Sequence, residues 1–593
     1  MLLDHSLEKV GGHNYEYAME IGKAAEQQGL EVVLATHRNF QPNCKLPRHW
    51  TVCSPFPFNS FNRYSLFKSG QLWTPDTIVV GRSEASRLAA SWYGSWRRYR
   101  GQCLVNQMAE ACQRLFTQVP LRKEDIVFAP TVSEFDLWGI AQYLKYSSSA
   151  REAVWLMQFH FDIFPSGHTD KTGEHPRTVE LRQHFLRILS DLADHRMVFL
   201  CPTEPMAAQY NQLDLVPFQE LPYPVNPKFQ PLQRRPSNSI PIRIATAGHF
   251  RREKGRNRLG KTIESLWDDV LVNGRGQLAI QGQTHRIRRW LPPSTRSKLA
   301  GWNLRPELPK QPVVAVPHPL APDDYVDYVR HTGIGLFLYD PQRYFARCSG
   351  ILVEMLAAGV PVIVPAGCWL AEQIAEPNFS YLATLKKQLP VLERTKSGTF
   401  SVSPSTHPTL NVSVPPDSLG LLIDYRCQAP WPTEAYIRLI SQASSVNTVP
   451  QTTVHVVGRR EGHQRVQIWI PLAKHIRELQ LRWENASHSH DLHLCDTQFQ
   501  FLGSRDGVTG RPPIGAVGLI ASHPDDVAKL VNEMLIHYDH YRSTARQFSE
   551  SWRQRHSPQQ VMHELVALAD SAVPIENQLW NGRSRPSVHV RSA

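Results

Sequence analysis

At 593 residues the chain exceeds what one hydrophobic core accommodates, so two or three domains are expected. An apolar content of 41% with 15 tryptophans excludes a disordered chain, and a net charge of +12 favours an anionic partner. The basic residues are scattered and form no recognised nucleic-acid module, so the expected partner is a phosphate-bearing small molecule and not nucleic acid.

The nine cysteines are widely spaced, odd in number and without a Cys-x-x-Cys pair, which indicates neither a zinc site nor a disulfide framework. The opening Met-Leu-Leu-Asp-His-Ser does not read as a signal peptide, and no apolar run is long enough to span a bilayer. A cytoplasmic location is expected, with peripheral contact at the inner face of the membrane left open.

In chain order, Met1 to Leu3 reads as a strand, followed by a loop holding Gly11, Gly12, His13 and Asn14 and a helix from Tyr15 to Gln28. Gly29 stops that helix and Glu31 to Ala35 is the next strand, a βαβ opening with a glycine turn. The turn is not a Gly-x-Gly-x-x-Gly fingerprint, so a dinucleotide cofactor is not supported. Residues 40–120 are irregular and then helical from Glu84 to Arg114, read as a helical pair carrying Trp92 and Trp96 over the sheet. Ile126 to Ala129 and the run from Trp155 are strands, the latter ending in His160 and Asp162. Open α/β sheets bind ligands at the carboxyl ends of their strands, which makes His160 a candidate. Another strand spans Val198 to Cys201. The proline-rich 221–227 and the polar 234–241 then read as a crossing and a linker, with a domain boundary near residue 236.

The second domain opens on a strand from Ile242 to Thr246 and the loop Gly248-His249-Phe250-Arg251-Arg252-Glu253-Lys254-Gly255. Gln277 to Gln281, Val313 to Val316 and Gly335 to Tyr339 read as strands. Pro322 starts a helix whose Asp323 and Asp324 suit the helix dipole better than a metal. Residues 343–374 organise this half. A helix carrying Glu354 ends at Gly359, Pro361 to Val364 is a strand buried on both faces, and Gly367 precedes a second helix from Trp369. Backbone amides and a helix N-terminus converge there on one point suited to a phosphate, with Glu354 beside it for a sugar hydroxyl.

From about Phe379 the periodicity changes to two, and residues 381–513 read as an all-β insertion, a sandwich. Its role is open between glycan binding and a structural or oligomerising insert. His488, His490 and His493 read as an exposed histidine-rich loop rather than a metal cluster. Residues 514–572 return to the α/β pattern with closing helices, and the tail 573–593 is expected to be disordered.

These motifs resemble the donor site of GT-B glycosyltransferases, in particular the retaining glycosyltransferase family 4. The resemblance covers most of residues 1–380 and 514–569. It implies two Rossmann-like domains facing a central cleft, residues 1–236 and 237–380, with the β insertion in the second. Glu354 falls on the family's second glutamate, which holds the nucleotide ribose, and Gly359, Pro361 and Val362 fall on its Gly-x-Pro-Val element. Lys254 falls on the lysine of the diphosphate loop. The loop's arginine is replaced by His249, with Arg251 and Arg252 close by to supply the charge. The family's first glutamate would lie at Ala346, and Arg347 and Ser349 stand near it instead. The resemblance therefore implies His160, Lys254 and Glu354 as catalytic. It implies a donor site from Gly12, His13, Arg251, Arg252, Lys254, Arg347, Ser349, Gly350, Glu354 and Gly367. It also implies no cofactor and no metal ligand, in keeping with the lack of any Asp-x-Asp. The donor would be a nucleotide-sugar, the acceptor a carbohydrate or lipid-linked molecule, and the oligomeric state is left open. A non-catalytic nucleotide-sugar-binding protein and a GT-B epimerase or phosphorylase share the expected fold.

Overall fold

The computed structural model describes residues 1–10, 12–41, 46–59, 84–147, 149–164, 176–232, 241–305, 311–403, 405–428, 434–443, 452–457, 463–473, 476–485, 491–504 and 511–579. These fall into two units. Residues 1–164, 176–224 and 558–579 form the first, and residues 225–557 the second. The boundary expected near residue 236 lies outside the described residues.

In the first unit seven parallel strands are ordered β3-β2-β1-β4-β5-β6-β7. They are β1 (Leu2–Asp4), β2 (Val33–His37), β3 (Thr51–Phe56), β4 (Ile126–Val132), β5 (Val154–Phe159), β6 (Arg196–Cys201) and β7 (Phe218–Glu220). All of Val154–Phe159 is buried, as an interior strand covered by helices on both faces must be. Strand order reverses between β1 and β4, and the loops there form the crevice where such sheets take ligands. β3 was not legible in the sequence. The expected helical pair is one continuous helix, Glu84–Gln118, which runs through both Gly94 and Gly101. The side chains of Trp92 and Trp96 lie outside the described residues. Further along, Val105, Met108, Cys112 and Leu115 are buried against the helix Glu134–Leu144. A Cβ on Gly139 would lie 2.5 Å from the Met108 Cβ, so glycine permits that approach.

The C-terminal residues belong to this unit. Gln559 Nε2 donates to Gln27 Oε1 at 2.9 Å, and the Ile575 amide donates to the His195 carbonyl at 3.0 Å. Ile575 is fully buried, so the order expected to end at Val573 continues to residue 579; 580–593 lie outside the described residues.

The second unit is built on β8 (Ile242–Thr246), β9 (Gly276–Gln281), β10 (Val313–Val316), β11 (Ile334–Leu336), β12 (Val362–Pro365) and a last strand, Gly518–Ala521. They run parallel in the order β10-β9-β8-β11-β12 and then Gly518–Ala521, again reversing beside the first strand. Two Rossmann-like α/β domains, the second interrupted by antiparallel structure, are the architecture that the GT-B resemblance implies.

The helix Trp369–Gln388 runs past residue 381, so the interruption begins at Val391. Val391–Lys396 and Phe400–Val402 both pair with Leu492–Gly503 and act as one broken strand. Counting eight strands in chain order on that basis, one sheet is ordered 1-8-3-6 and the other 2-7-4-5, all antiparallel. That is the strand arrangement of a jelly roll. Leu421, Ile423, Tyr425, Ile437, Leu481 and Trp483 belong to its buried core.

The insertion enters and leaves side by side, since the Gly503 amide donates to the Pro390 carbonyl at 2.9 Å. Leu382 and Leu385 of the preceding helix, and Leu389 just past its end, are buried against Leu422, Trp469 and Leu502 of the jelly roll. Replacing residues 391–502 by a short Gly–Ser linker is therefore sterically simple but uncovers three leucines, each worth about 1.5–3 kcal/mol of burial. The excised protein should melt lower and scatter light on heating, and polar residues at Leu382 and Leu385 should restore its solubility. An excised protein as stable as the full chain would show that this packing contributes nothing.

Candidate functional site

At the carboxyl edge of the first sheet, acidic and imidazole groups gather. Asp4 ends β1 and is almost fully buried; its Oδ1 accepts from the Ser6 amide at 3.0 Å. His5, also buried, brings its Nε2 within 3.5 Å of Asp136 Oδ2. Asp136 in turn accepts from the Ser133 hydroxyl at 2.7 Å and the Ser133 amide at 2.8 Å, in the capping box that starts the helix Glu134–Leu144. His37, at the end of β2, faces Glu8 at 3.9 Å and is pulled below its usual value chiefly by burial. His160 is half-buried beyond β5, its Nε2 3.3 Å from Gln158 Oε1, which also accepts from the Tyr17 hydroxyl at 2.8 Å. Gly12 is exposed at the cap of the helix His13–Gln27 with φ +87°, a conformation that favours glycine there. The side chain of His13 lies outside the described residues. Sequence reasoning missed Asp4, His5 and Asp136. The adjacent acid and imidazole at the end of the first strand, followed by a Ser-x-x-Asp box after the fourth, was the available signal.

The second sheet gathers the expected donor residues at its own carboxyl edge. The loop after β8 turns at Gly248, whose φ is +82° and whose amide donates to Gln281 Oε1 at the end of β9. A Cβ there would lie 2.2 Å from Ile351 Cδ1 and 3.2 Å from Lys254 Nζ, so glycine makes room for both. Lys254 ends a short helical turn, Arg252–Lys254, and its ammonium sits 5.2 Å above the centroid of the Tyr339 ring. Desolvation, and secondly the charge of Arg251, pull the Lys254 ammonium down to about 8, while Glu253 and Glu354 act in the opposite sense. Arg251 and Arg252 are exposed, and Arg251 is paired with Glu253 at 3.3 Å. His249, in the place of the family's arginine, is exposed, and its ring centroid lies 5.4 Å from that of His318. Partial desolvation of the ring, followed by the surrounding cations, depresses His249 below its usual value.

Glu354 lies on the helix Gly350–Ala357, which Ser349 caps by accepting from the Leu352 amide. Glu354 is only 8% exposed, and its Oε2 accepts from the Tyr325 hydroxyl at 2.6 Å. Tyr325, on the helix Pro322–Arg330, is a partner that sequence reasoning missed. Arg347 and Gly350 are half-buried, Ser349 and Ala346 buried. Gly367 is buried with φ +72° between β12 and the helix from Trp369. The Trp369 amide already donates to the Tyr344 and Phe345 carbonyls, so this helix start offers a phosphate less than its sequence suggests. Asp323 pairs with Lys228, in keeping with a surface role. Among the described residues no group of three or more His, Cys, Asp or Glu is placed to hold a metal ion. His493 bonds the Ser401 hydroxyl at 2.8 Å, whereas His488 and His490 lie outside the described residues. Among the described residues no helix is long and apolar enough to cross a membrane.

No protein-family profile and no curated protein sequence matches the chain. Solved structures with a related fold include trehalose-6-phosphate synthase from E. coli bound with UDP-2-fluoro glucose. It is 14% identical, covering 63% of this chain and 86% of that one, with a TM-score of 0.39. A UDP-forming trehalose-phosphate synthase from Burkholderia xenovorans in complex with glucose-6-phosphate is 11% identical, covering 63% and 86%, with a TM-score of 0.41. The N-terminal domain of Candida albicans trehalose-6-phosphate phosphatase is 12% identical, covering 63% and 84%, also at 0.41. Similarity at this level assigns neither activity nor ligand.

The buried Asp4 gives a direct test of the first cluster. Burial raises its carboxyl to about 6, against a lesser lowering by His5 and the Ser6 amide. A raised carboxyl favours the native state fully below the unfolded value near 4 and loses that contribution as pH rises through about 6. Asp4→Asn keeps the acceptor without the charge. It should therefore stabilise the protein at pH 7 by on the order of 2–3 kcal/mol and have little effect at pH 4, as read from denaturant melts at both pH values. Equal effects at the two pH values would show that the Asp4 charge is not the cost.

Proposed function

We propose that the chain is a metal-independent glycosyltransferase of the GT-B type with a donor site like that of retaining family 4. It moves a glycosyl group from a nucleotide-sugar to a carbohydrate or lipid-linked acceptor. The observation that carries this reading is the placement of Lys254 near Glu354. The two are distant in sequence, yet the charge of Glu354 reaches the Lys254 ammonium at the carboxyl edge of one Rossmann-like sheet, where Gly248 makes room for both Lys254 and Ile351 of the Glu354 helix.

The chemistry follows from charge. A nucleoside diphosphate leaves as an anion, and a cation fixed in place before the reaction stabilises that charge without reorganising. Lys254 supplies it, with Arg251 and Arg252 at the exposed rim and Arg347, Ser349, Gly350 and Gly367 around the phosphates. Glu354 accepts from the ribose hydroxyls, sharing its carboxylate with Tyr325, since an ionised carboxylate accepts several hydrogen bonds. On the first domain His160, Gly12 and His13 serve the sugar and the acceptor. The replacement of the family's first glutamate by Ala346 favours one competing reading, a protein that binds nucleotide-sugar without transfer. Turnover of UDP-, GDP- and ADP-sugars, assayed with and without acceptors, separates the two. Binding without transfer or hydrolysis for any donor would overturn the enzymatic reading.

Two predictions test the site. Lys254→Ala should weaken nucleoside diphosphate binding about tenfold or more while sparing the nucleoside, because a charge-assisted hydrogen bond contributes on the order of 1.5–3 kcal/mol. With its ammonium held at about 8, Lys254 is charged at pH 6.5 and largely neutral at pH 9.5. Diphosphate affinity should therefore fall over that interval, and Lys254→Arg should flatten the profile. Calorimetry at constant ionic strength measures both; a profile unchanged by Lys254→Arg assigns the titration elsewhere.

Glu354→Gln replaces an acceptor with a part-donor and weakens the bond from Tyr325. With Glu354 buried, it should cost about 1–3 kcal/mol of stability, and Tyr325→Phe should cost a similar amount non-additively. The wild type should prefer a ribonucleoside diphosphate to its 2′-deoxy counterpart, and Glu354→Gln should erase that preference. Fully additive losses across the two proteins and two ligands would mean that Glu354 does not touch the ribose.

A further inference from the structure

The jelly roll presents a second site of its own. The outward face of the sheet containing Ser418–Gln428 is covered along only part of its length by the helix Trp369–Gln388. Beyond that cover the face turns polar and opens into a cavity of about 300 Å³, whose lining includes Lys396, Asp424, Arg426, Arg465, Asp496 and Gln498. That volume is at the lower end of small-molecule sites.

A β-bulge makes the concavity. Asp424 is in register with Gln498 and Arg426 with Cys495, so two residues, Asp496 and Thr497, stand opposite Tyr425 alone. Asp496 takes up the extra residue with φ +54°, and the Ser397 amide reaches across to the Thr497 carbonyl at 2.8 Å. Bulges of this kind re-aim side chains and are common beside binding sites.

The charges on this face do not balance. Asp424 is buried and already saturated: Arg465 bonds it through Nε at 2.9 Å and Nη2 at 2.6 Å, Gln467 at 2.9 Å, and Lys386 lies at 3.5 Å. Burial works against the Asp424 charge, but these donors prevail and hold its carboxyl below the usual range. Asp496 approaches Arg426 at 3.7 Å. Among the described residues Lys396 has no carboxylate partner within ion-pair distance, and the register places Arg394 on the same face. Arg426 and Arg465, moreover, stand directly opposite one another on antiparallel strands. Like charges in that position are destabilising, a cost that a bound anion would offset.

We propose that this cavity binds an anionic sugar, a small hydroxyl-bearing ligand carrying a carboxylate or phosphate group. The anionic group is held by Arg426, Lys396 and the outer side of Arg465, and the hydroxyls meet Gln498 and Ser397. A ligand recognised by stacking does not fit, because the one aromatic residue of the lining, Tyr425, has its ring in the jelly-roll core.

The full-length protein is titrated by calorimetry and saturation-transfer NMR with methyl glucuronide, glucose 6-phosphate and methyl glucoside. At least one anionic sugar should bind at least tenfold more tightly than the neutral glucoside, and whichever responds distinguishes carboxylate from phosphate. Lys396→Gln and Arg426→Gln should each weaken that binding fivefold or more, whereas Lys254→Ala should leave it unchanged. Both side chains are exposed, so folding is not at stake. Arg426→Gln also removes the opposed charge, so the melting temperature without ligand should hold or rise even as affinity falls. Equal binding of the glucoside, no binding of any probe, or binding lost with Lys254→Ala but not with the two jelly-roll variants would overturn the proposal.

Discussion

The cationic edge of the second sheet depends on one close approach, that of Gly255 to the backbone of Leu338. A Cβ on Gly255 would lie 2.1 Å from the Leu338 carbonyl oxygen, and its φ of +87° is itself a glycine conformation. Because that residue has no side chain, the whole loop from Gly248 lies flat on the segment leaving β11. The Asp340 amide then donates to the Glu253 carbonyl at 2.9 Å, and Arg258 Nη1 to the Tyr339 carbonyl at 3.0 Å. Lys254 is thereby fixed over Tyr339 rather than left on a solvated turn. A lysine so placed carries a desolvation cost, which pulls its ammonium below the usual lysine value. An ammonium in this state gains most from an anionic partner, which restores the interactions that burial removed.

The sequence carried this half of the protein well because both of its signals are backbone signals. β8 and β10 appear with their expected limits, and the glycines at 248, 255 and 367 all take positive φ. Such positions announce themselves in sequence because few other residues fill them. What the sequence hid was the partner of each side chain. That Glu354 is buried and bonded to Tyr325 depends on how the helix Pro322–Arg330 lies on its neighbour, a tertiary fact with no local trace. The same holds for His5 with Asp136, brought together only by the pairing of β1 with β4.

The insertion was legible only in part for a different reason. Alternation is clear where one face is core and the other solvent, as in Glu478–Asn485. It fails where an outward face is itself buried. In Ser418–Gln428 the rhythm is lost around Leu422, an outward leucine sealed under a helix between the inward Leu421 and Ile423, and is kept only from Ile423 to Gln428. The serine-, threonine- and proline-rich stretch from 395 to 420 holds strands as well, but they are short and one is broken across Ser397. β-propensity measures fit to a half-buried pleated surface, and edge segments of this kind lack that context.

The two Rossmann-like sheets repeat one topology and carry opposite electrostatics at corresponding edges. The first presents Asp4, His5, His37, Glu134 and Asp136, all buried; the second presents Lys254, Arg251 and Arg252 beside Glu253 and Glu354. Strand order fixes where a ligand can sit but not what it is. An edge of cations suits a diphosphate. An edge of buried carboxylates and imidazoles cannot hold one, because like charges in a low dielectric repel strongly. Burial also raises the Asp4 carboxyl to about 6. The duplicated fold therefore does not imply a duplicated site: the loops that follow the first and fourth strands of each sheet decide which ligand each half can accept.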